Sequence, residues 1–237
     1  LLAEKFREHR IRNADLRTVR EGERVDVDGY GLEFVAVNHS IPDAIAVAIH
    51  AGGQVALHTG DIKLDQLPMD KRPTDLPAMA RNGDKGVDLL LMDSTNATTP
   101  GVSESESGIT KSMERVIRGA RKQVVVACFA SNVYRVQQII DAAAQAGRKV
   151  ALNGRSMVRN MEIAMDLGFL NAPDNVIVDM DHAAKLPPEK LVVVTTGTQG
   201  EAMAGLSRMA RREHRQVNLN SGDTVVFSSS LVPGNEE

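Results

Sequence analysis

The sequence predicts an α/β chain in two parts, and three observations carry this. Residues 21–58 hold two stretches in which apolar and polar residues alternate, each broken by a glycine turn. From Val87 onward, short apolar runs rich in β-branched residues alternate with longer segments of helical spacing. The change of pattern places a boundary near residue 105, dividing the chain into 1–104 and 105–237. Strands that alternate with helices of this length build a mostly parallel sheet covered on both faces.

The elements follow in order. Residues 1–20 read as a short helix tail and a strand. Residues 21–37 alternate strongly, and Asp28-Gly29, with Gly31 nearby, is a hairpin signal. A second hairpin runs from Ala44 to His58 through Gly52-Gly53. Residues 66–86, with prolines, glycines and mixed charge, read as a loop or a short helix. Val87–Met92 is a strand. Beyond it the spacing predicts helix 108–120, strand 123–129, helix 133–146, strand 149–152 and helix 156–167. Strands 175–178 and 190–195, helix 200–212 and strand 224–229 complete the pattern.

Composition narrows the function classes. Apolar residues make up 42% of the 237, enough for a real core, and the 25% charged residues mix both signs. A net charge of -3 leaves a local basic groove open. With 3% aromatic residues and no Trp, recognition built mainly on base stacking is disfavoured. One cysteine excludes an internal disulfide and any cysteine-rich zinc cluster, and Cys128, inside an apolar run, reads as a buried strand residue. No apolar run approaches the roughly 18 residues of a membrane-spanning helix. The start at Leu1-Leu2-Ala3, without Met or a signal peptide, reads as part of a cytoplasmic protein.

Two polar residues stand just past apolar runs. His39 lies in Asn38-His39-Ser40-Ile41-Pro42-Asp43, and Asp61 in His58-Thr59-Gly60-Asp61. Imidazole suits zinc, and a carboxylate can bridge two cations. A hydrolytic zinc centre takes at least three protein ligands and a water, so two residues leave it unfinished. The competing reading is a capping Asp after Gly60 and a loop His bonded to backbone. His58 reads as structural. Asp43 reads as a loop cap or an orienting partner of His39, and Asp93 as a support of the same cleft.

Three strand-to-helix turns share one character: Ser131-Asn132, Gly154-Arg155-Ser156 and Gly197-Thr198-Gln199-Gly200. Glycines allow tight turns, and hydroxyls or amides cap helices. The same exposed N–H groups can cradle a phosphate at the carboxyl ends of parallel strands. Ordinary capping is the competing reading for any one of them. Arg155, Arg208, Arg211, Arg212 and Arg215 are candidate phosphate contacts, although 211–215 reads first as a solvated helix end.

Taken in order, Asn38–Asp43, His58–Lys63, Asp93–Ala97, Phe129–Asn132, Gly154–Met157, Thr196–Glu201, Gly205–Arg208 and Gly222–Ser230 with Pro233–Glu236 resemble the ribonuclease J family. Its actinobacterial members are the most similar in appearance. The resemblance covers essentially the whole chain. It implies part of a metallo-β-lactamase αββα domain in 1–104, followed by a Rossmann-like β-CASP domain in 105–237 that is truncated at its C-terminus. It also implies that His39 is a zinc ligand and Asp61 a ligand bridging two zinc ions, both at the catalytic centre. The other ligands would come from an upstream H-x-H-x-D-H motif and a downstream histidine. His9, His39, His50, His58, His182 and His214 form no such cluster. The implied protein is a cytoplasmic ribonuclease, endonuclease and 5′-to-3′ exonuclease, acting in RNA processing (rRNA included) and decay. Two zinc ions per chain, RNA, a dimeric or tetrameric assembly and RNA-degradation proteins are the implied cofactors and partners. The RNA channel would be lined by Ser131, Asn132, Arg135, Gly154, Arg155, Ser156, Gln199, Gly200, Ser228 and Ser229. Tyr134 stands where relatives often carry histidine, so packing or RNA contact is its expected role. The segment alone is expected to be inactive.

Two alternatives stay open. One is another β-CASP RNA-processing hydrolase. The other is a non-catalytic nucleotide-binding module on the parallel sheet, although neither a G-x-G-x-x-G fingerprint nor a P-loop is present.

Overall fold

A computed structural model describes residues 2–229. The chain forms two compact units, Leu1–Ser105 and Glu106–Glu237.

The first unit begins with helix α1 (Leu2–Glu8) and is built on one sheet. Its strands are β1 (Arg24–Val27), β2 (Tyr30–Ala36), β3 (Ile45–Ala51), β4 (Gln54–His58) and β5 (Leu89–Leu91), hydrogen-bonded in that order. Asp28 and Gly29 turn β1 into β2 with φ of +52° and +85°. Gly52 and Gly53, at +57° and +82°, turn β3 into β4. Two successive positive φ values match the right-handed twist of a tight hairpin, which is why glycine recurs there. β5 joins β4 in parallel, whereas the other pairs are antiparallel. Helix α2 (Leu76–Lys85) is capped by Asp75, whose carboxylate accepts from the Ala78 amide at 2.9 Å. Its Ala78 joins Val35, Val37, Ala46, Ala48 and Leu57 in the core of this unit.

The expected strand within residues 9–20 does not form: α1 ends at Glu8 and the described chain is irregular up to β1. Ile11 and Leu16 remain about half exposed, at 50% and 47%, so the stretch has no apolar face to pair.

The second unit contains helix α3 (Ile109–Gly119), then β6 (Val124–Ala127), α4 (Val133–Gln145), β7 (Lys149–Leu152), α5 (Arg155–Asp166) and β8 (Ile177–Val178). It continues with α6 (Met180–Ala183), β9 (Leu191–Thr195), α7 (Gly205–Ala210) and β10 (Thr224–Phe227). The sheet order is β10-β6-β9-β7-β8, every pair parallel. Alternation along each strand feeds two cores. Val124, Val126, Val150, Leu152, Val192 and Val194 pack with residues of α3, α4 and α5. Val125, Ala127, Ala151, Leu191 and Val193 pack with Ala183 of α6 and Leu206 and Met209 of α7. Burial on both sides explains strands that read as continuous apolar runs.

Two helical boundaries differ from the sequence expectation. The expected helix 200–212 contracts to α7, because the chain turns at Gly200 (φ +72°) and enters the helix only at Gly205. The four-residue α6 has too short a period to be read from spacing. The expected Pro233–Glu236 motif and Ser230 lie outside the described residues.

Candidate functional site

In the first unit, β2 and β4 run in the same direction because each is antiparallel to β3, and β5 runs with β4. The carboxyl ends of all three therefore lie at one edge. They deliver Asn38-His39, Thr59-Gly60-Asp61 and Asp93-Ser94-Thr95. His39 Nε2 stands 3.6 Å from Asp61 Oδ2, with side chains 33% and 79% exposed. Residues far apart in sequence thus present one nitrogen and one carboxylate oxygen side by side, open to solvent.

Buried bonds fix both loops. Asn38 is 7% exposed, and its amide donates to Thr74 Oγ1 at 3.1 Å. Its Oδ1 accepts from the Thr74 amide at 3.1 Å and the Thr74 hydroxyl at 3.0 Å. The Asn38 carbonyl accepts from the Lys63 amide at 2.8 Å, which ties the histidine loop to the aspartate loop. Asp93 Oδ2 accepts from the Ile62 amide at 3.2 Å. Its Oδ1 accepts from the Thr95 amide and hydroxyl at 3.0 and 2.7 Å. The Thr95 bonds hold the Asp93 carboxyl below the usual carboxylate range. Thr59 Oγ1 accepts from the Asp93 amide at 3.1 Å and donates to the Gly60 carbonyl at 2.7 Å. His58 Nδ1 accepts from the Gly60 amide at 3.1 Å. Asp43 holds a turn in the left-handed region, at φ +57°.

The donor set suits zinc as part of a site. Two ligands on one tetrahedral zinc stand about 3.3 Å apart, close to the observed separation. Among the described residues, however, no group of three or more His, Cys, Asp or Glu is arranged to hold a metal. His39 and Asp61 therefore fit as two ligands and do not complete a centre between them.

In the second unit the strands are all parallel, but the winding of the chain across the sheet reverses between β6 and β9. From β6 the chain leaves through α4 onto one face, and from β9 through α7 onto the other. At such a switch point the two loops part, leaving a crevice at the carboxyl edge where α/β sheets bind ligands. Ser131 is exposed on the β6 loop, and Asn132 is buried, its Oδ1 accepting from the Arg135 amide at 2.9 Å. Gly154 enters α5 at φ +104°, with no side chain capping that helix, and Gly154, Arg155 and Ser156 are exposed. On the β9 loop Gln199 is half-buried and Gly200 exposed; the Gln199 amide donates to the Glu201 carboxylate at 3.2 Å. Ser228 is buried past β10, and Ser229 is half-buried, its Oγ enclosed without a hydrogen-bond partner among the described residues.

Arg135 departs from its expected place on the channel. Its residue is 6% exposed, and its guanidinium donates to the Ser228 hydroxyl, to the Ser228 carbonyl at 3.0 Å, to Gln138 Oε1 at 3.1 Å and to the Glu106 carboxylate. It therefore knits α4 to the β10 loop from inside. Position 135 shares a helix face with buried Gln138 and Ile139, a spacing legible in the sequence. Residues 211–215 form the solvated end of a helix, with Arg211, Arg212, Glu213 and Arg215 exposed and His214 the exception. α7 stops at Ala210, and His214 is 8% exposed. Arg211 pairs with Glu213 at 3.2 Å. Cys128 is buried, with its thiol pushed up to about 12 by desolvation, as a strand residue would be. Sequence reasoning missed Thr74 and the Asn153–His214 pair, because only the tertiary fold brings such distant partners together.

Known proteins share this sequence and this fold. The ribonuclease J, beta-CASP domain family matches residues 121–237. Ribonuclease J of Mycolicibacterium smegmatis is 58% identical over 237 residues, covering 100% of this chain and 42% of that protein. Ribonuclease J of Corynebacterium glutamicum is 57% identical over 237 residues, covering 100% and 33%. That of Helicobacter pylori strain 26695 is 38% identical over 238 residues, covering 100% and 34%. The chain thus spans about a third to two fifths of the length of these relatives. A crystal structure of a protein of unknown function from Enterococcus faecalis V583 shares the fold, with a TM-score of 0.59, 15% identity, and 92% of this chain and 56% of that chain covered. Identity sustained through both units makes this chain a member of the ribonuclease J family.

Proposed function

We propose that the whole protein is a metal-dependent ribonuclease, and that this chain contributes part of its metal centre and part of its RNA-binding surface. The observation that carries the reading is the pairing of His39 Nε2 with Asp61 Oδ2 at 3.6 Å on two interlocked loops. The name shared by the relatives supplies the substrate class. His39 and Asp61 would hold zinc, two ions per chain, with the remaining ligands outside residues 1–237. When bound, zinc supplies Lewis-acid polarisation and activates water for phosphodiester hydrolysis. Asn38, locked by Thr74, aims His39, and Asp93 holds the Ile62 amide and thereby the Asp61 loop. A metallo-β-lactamase-type first unit followed by a β-CASP second unit, divided near residue 105, is the matching architecture.

In the second unit, Ser131, Gly154, Arg155, Ser156, Gln199 and Gly200 would receive RNA phosphates at the carboxyl edge. The uncapped start of α5 supports this, since its first N–H groups suit an anion. Asn132, Arg135 and Ser228 serve by shaping that edge, and Ser229 lies beside them. The same reading gives a cytoplasmic dimer or tetramer with endonuclease and 5′-to-3′ exonuclease action, RNA-degradation proteins as further partners, and an inactive isolated segment. No described helix is long and apolar enough to cross a membrane.

The test is His39→Ala and Asp61→Ala in the whole protein, with zinc content and RNA cleavage measured together. Both should fall, cleavage by more than about 100-fold, since even the partners that orient metal ligands cost about 10–100-fold. Full zinc content and unchanged cleavage in either variant would remove the assignment.

A further inference from the structure

A buried polar chain runs beneath the carboxyl edge of the second sheet, and nothing in the catalytic reading uses it. It starts at His214, 8% exposed. His214 Nδ1 accepts from the backbone amides of Val217 and Gln216, at 3.3 and 3.4 Å. Two N–H groups aimed at one ring nitrogen leave it unprotonated, so the proton sits on Nε2. His214 Nε2–H then donates to Asn153 Oδ1 at 2.9 Å. With that oxygen occupied, Asn153 Nδ2 donates to Thr195 Oγ1 at 2.9 Å. The Thr195 hydroxyl directs its own proton to the Thr196 carbonyl at 3.3 Å. Every bond in the series has one allowed direction, set from His214.

The two middle members occupy informative places. Asn153 directly precedes Gly154-Arg155-Ser156, and Thr195 directly precedes Thr196-Gly197-Thr198-Gln199. Asn153 directly follows β7 and Thr195 ends the neighbouring strand β9, so each stands immediately before a turn of the carboxyl edge. The pair is closed over by α7: a Cβ on Gly205 would overlap both Thr195 Oγ1 and Asn153 Nδ2. The Leu206 amide completes the lock by donating to the Thr196 carbonyl at 3.1 Å. An apolar core could close this space at lower desolvation cost, but it would not fix a direction or a register.

We propose that His214 is a positioning residue that sets the spacing of the Gly154–Ser156 and Thr196–Gly200 turns through Asn153 and Thr195, so that both turns engage phosphates of one RNA strand. The inference rests on the reading of those turns as an RNA surface. Removal of His214 uncouples the turns without touching any group that meets RNA.

The experiment is binding of a short single-stranded RNA carrying a 5′-phosphate and a 3′-fluorophore, followed by anisotropy across a salt series. Each variant is compared at a temperature where circular dichroism shows it folded. His214→Leu should weaken binding about tenfold. It should also lower the slope of log K against log salt by about 0.7 for each phosphate that the protein no longer neutralises. A role confined to stability would leave that slope unchanged in the folded protein. His214→Gln, whose amide can still donate to Asn153, should restore both quantities. Thr195→Val cuts the chain with a side chain of the same shape, and decides the matter if His214→Leu does not fold. An unchanged slope and affinity in folded His214→Leu or Thr195→Val overturns the positioning role. Ser156→Ala and Gln199→Ala separate the two claims. If they weaken binding while the His214 and Thr195 variants do not, only the positioning role fails. If they leave binding unchanged, the RNA surface fails and the positioning role falls with it.

Discussion

His214 is a buried histidine held neutral by its surroundings. Burial lowers its affinity for a proton, and the Arg208 guanidinium of α7 adds to this. Glu213, whose carbonyl accepts from Arg208 at 3.5 Å, and Arg215 flank His214 in the chain, and Gln216 reaches Asp181 of α6 at 3.5 Å. A folded-state value below the ordinary 6.5 means that the unfolded chain binds the proton first. Stability is then intact above the ordinary value and is lost as pH falls through it toward the folded value. Unfolding free energies from urea titrations between about pH 7 and about pH 5 should drop more steeply in the protein than in His214→Gln, the difference approaching at most about 1.4 kcal/mol per pH unit. Parallel curves would show that His214 does not titrate differently on folding. At the same scale, Arg135 shows how a charged residue escapes the surface: Glu106, Gln138 and Ser228 together satisfy its guanidinium inside the unit.

Element by element, the second unit is governed by where each crossover lands. Helices α3, α4 and α5 cover one face and α6 and α7 the other, so the loops that follow β6 and β9 leave toward opposite faces. The approach of α7 to the strand ends is close enough to make Gly205 specific. Gly205→Ala forces a methyl group into Thr195 and Asn153 and should cost about 1–3 kcal/mol in urea unfolding. Gly119, at the end of α3, faces open space within 4 Å. Gly119→Ala should therefore be neutral or stabilising by up to about 1 kcal/mol, through the unfolded chain. Equal effects at the two glycines would mean that α7 yields more easily than its packing indicates.

Over the whole molecule, the proposed metal centre is the property that a direct titration tests. His39 and Asp61 offer two donor atoms, and no third His, Cys, Asp or Glu joins them among the described residues. Calorimetric titration of the 237-residue chain with zinc should show only weak binding, without a tight stoichiometric site. Tight binding at one or two zinc per chain would place the further ligands within residues 1–237, with His58 and Asp43 the first candidates.

The amino-acid sequence by itself determined the elements whose cause is local. Successive positive-φ turns at Asp28-Gly29 and Gly52-Gly53 announce the hairpins. Apolar runs buried on both faces announce the parallel strands, and the spacing of α4 and α5 announces their helices. It also placed His39 and Asp61 just past strand ends, because a polar residue following an apolar run marks such an end. What it left undecided depends on partners distant in sequence. The 9–20 segment has a strand-like length but no strand to pair with. Residues 201–204 are good helix formers, yet the chain turns at Gly200 and enters α7 only at Gly205. Asn38 meets Thr74, and Asn153 meets His214, 61 residues away, only after strands and helices have packed. Local propensity acts over a few residues, whereas hydrogen-bond partners in a buried network are chosen by the register of the sheet. For that reason the tertiary structure alone decided which polar residues stand exposed at the strand ends and which lie buried beneath them, holding the loops.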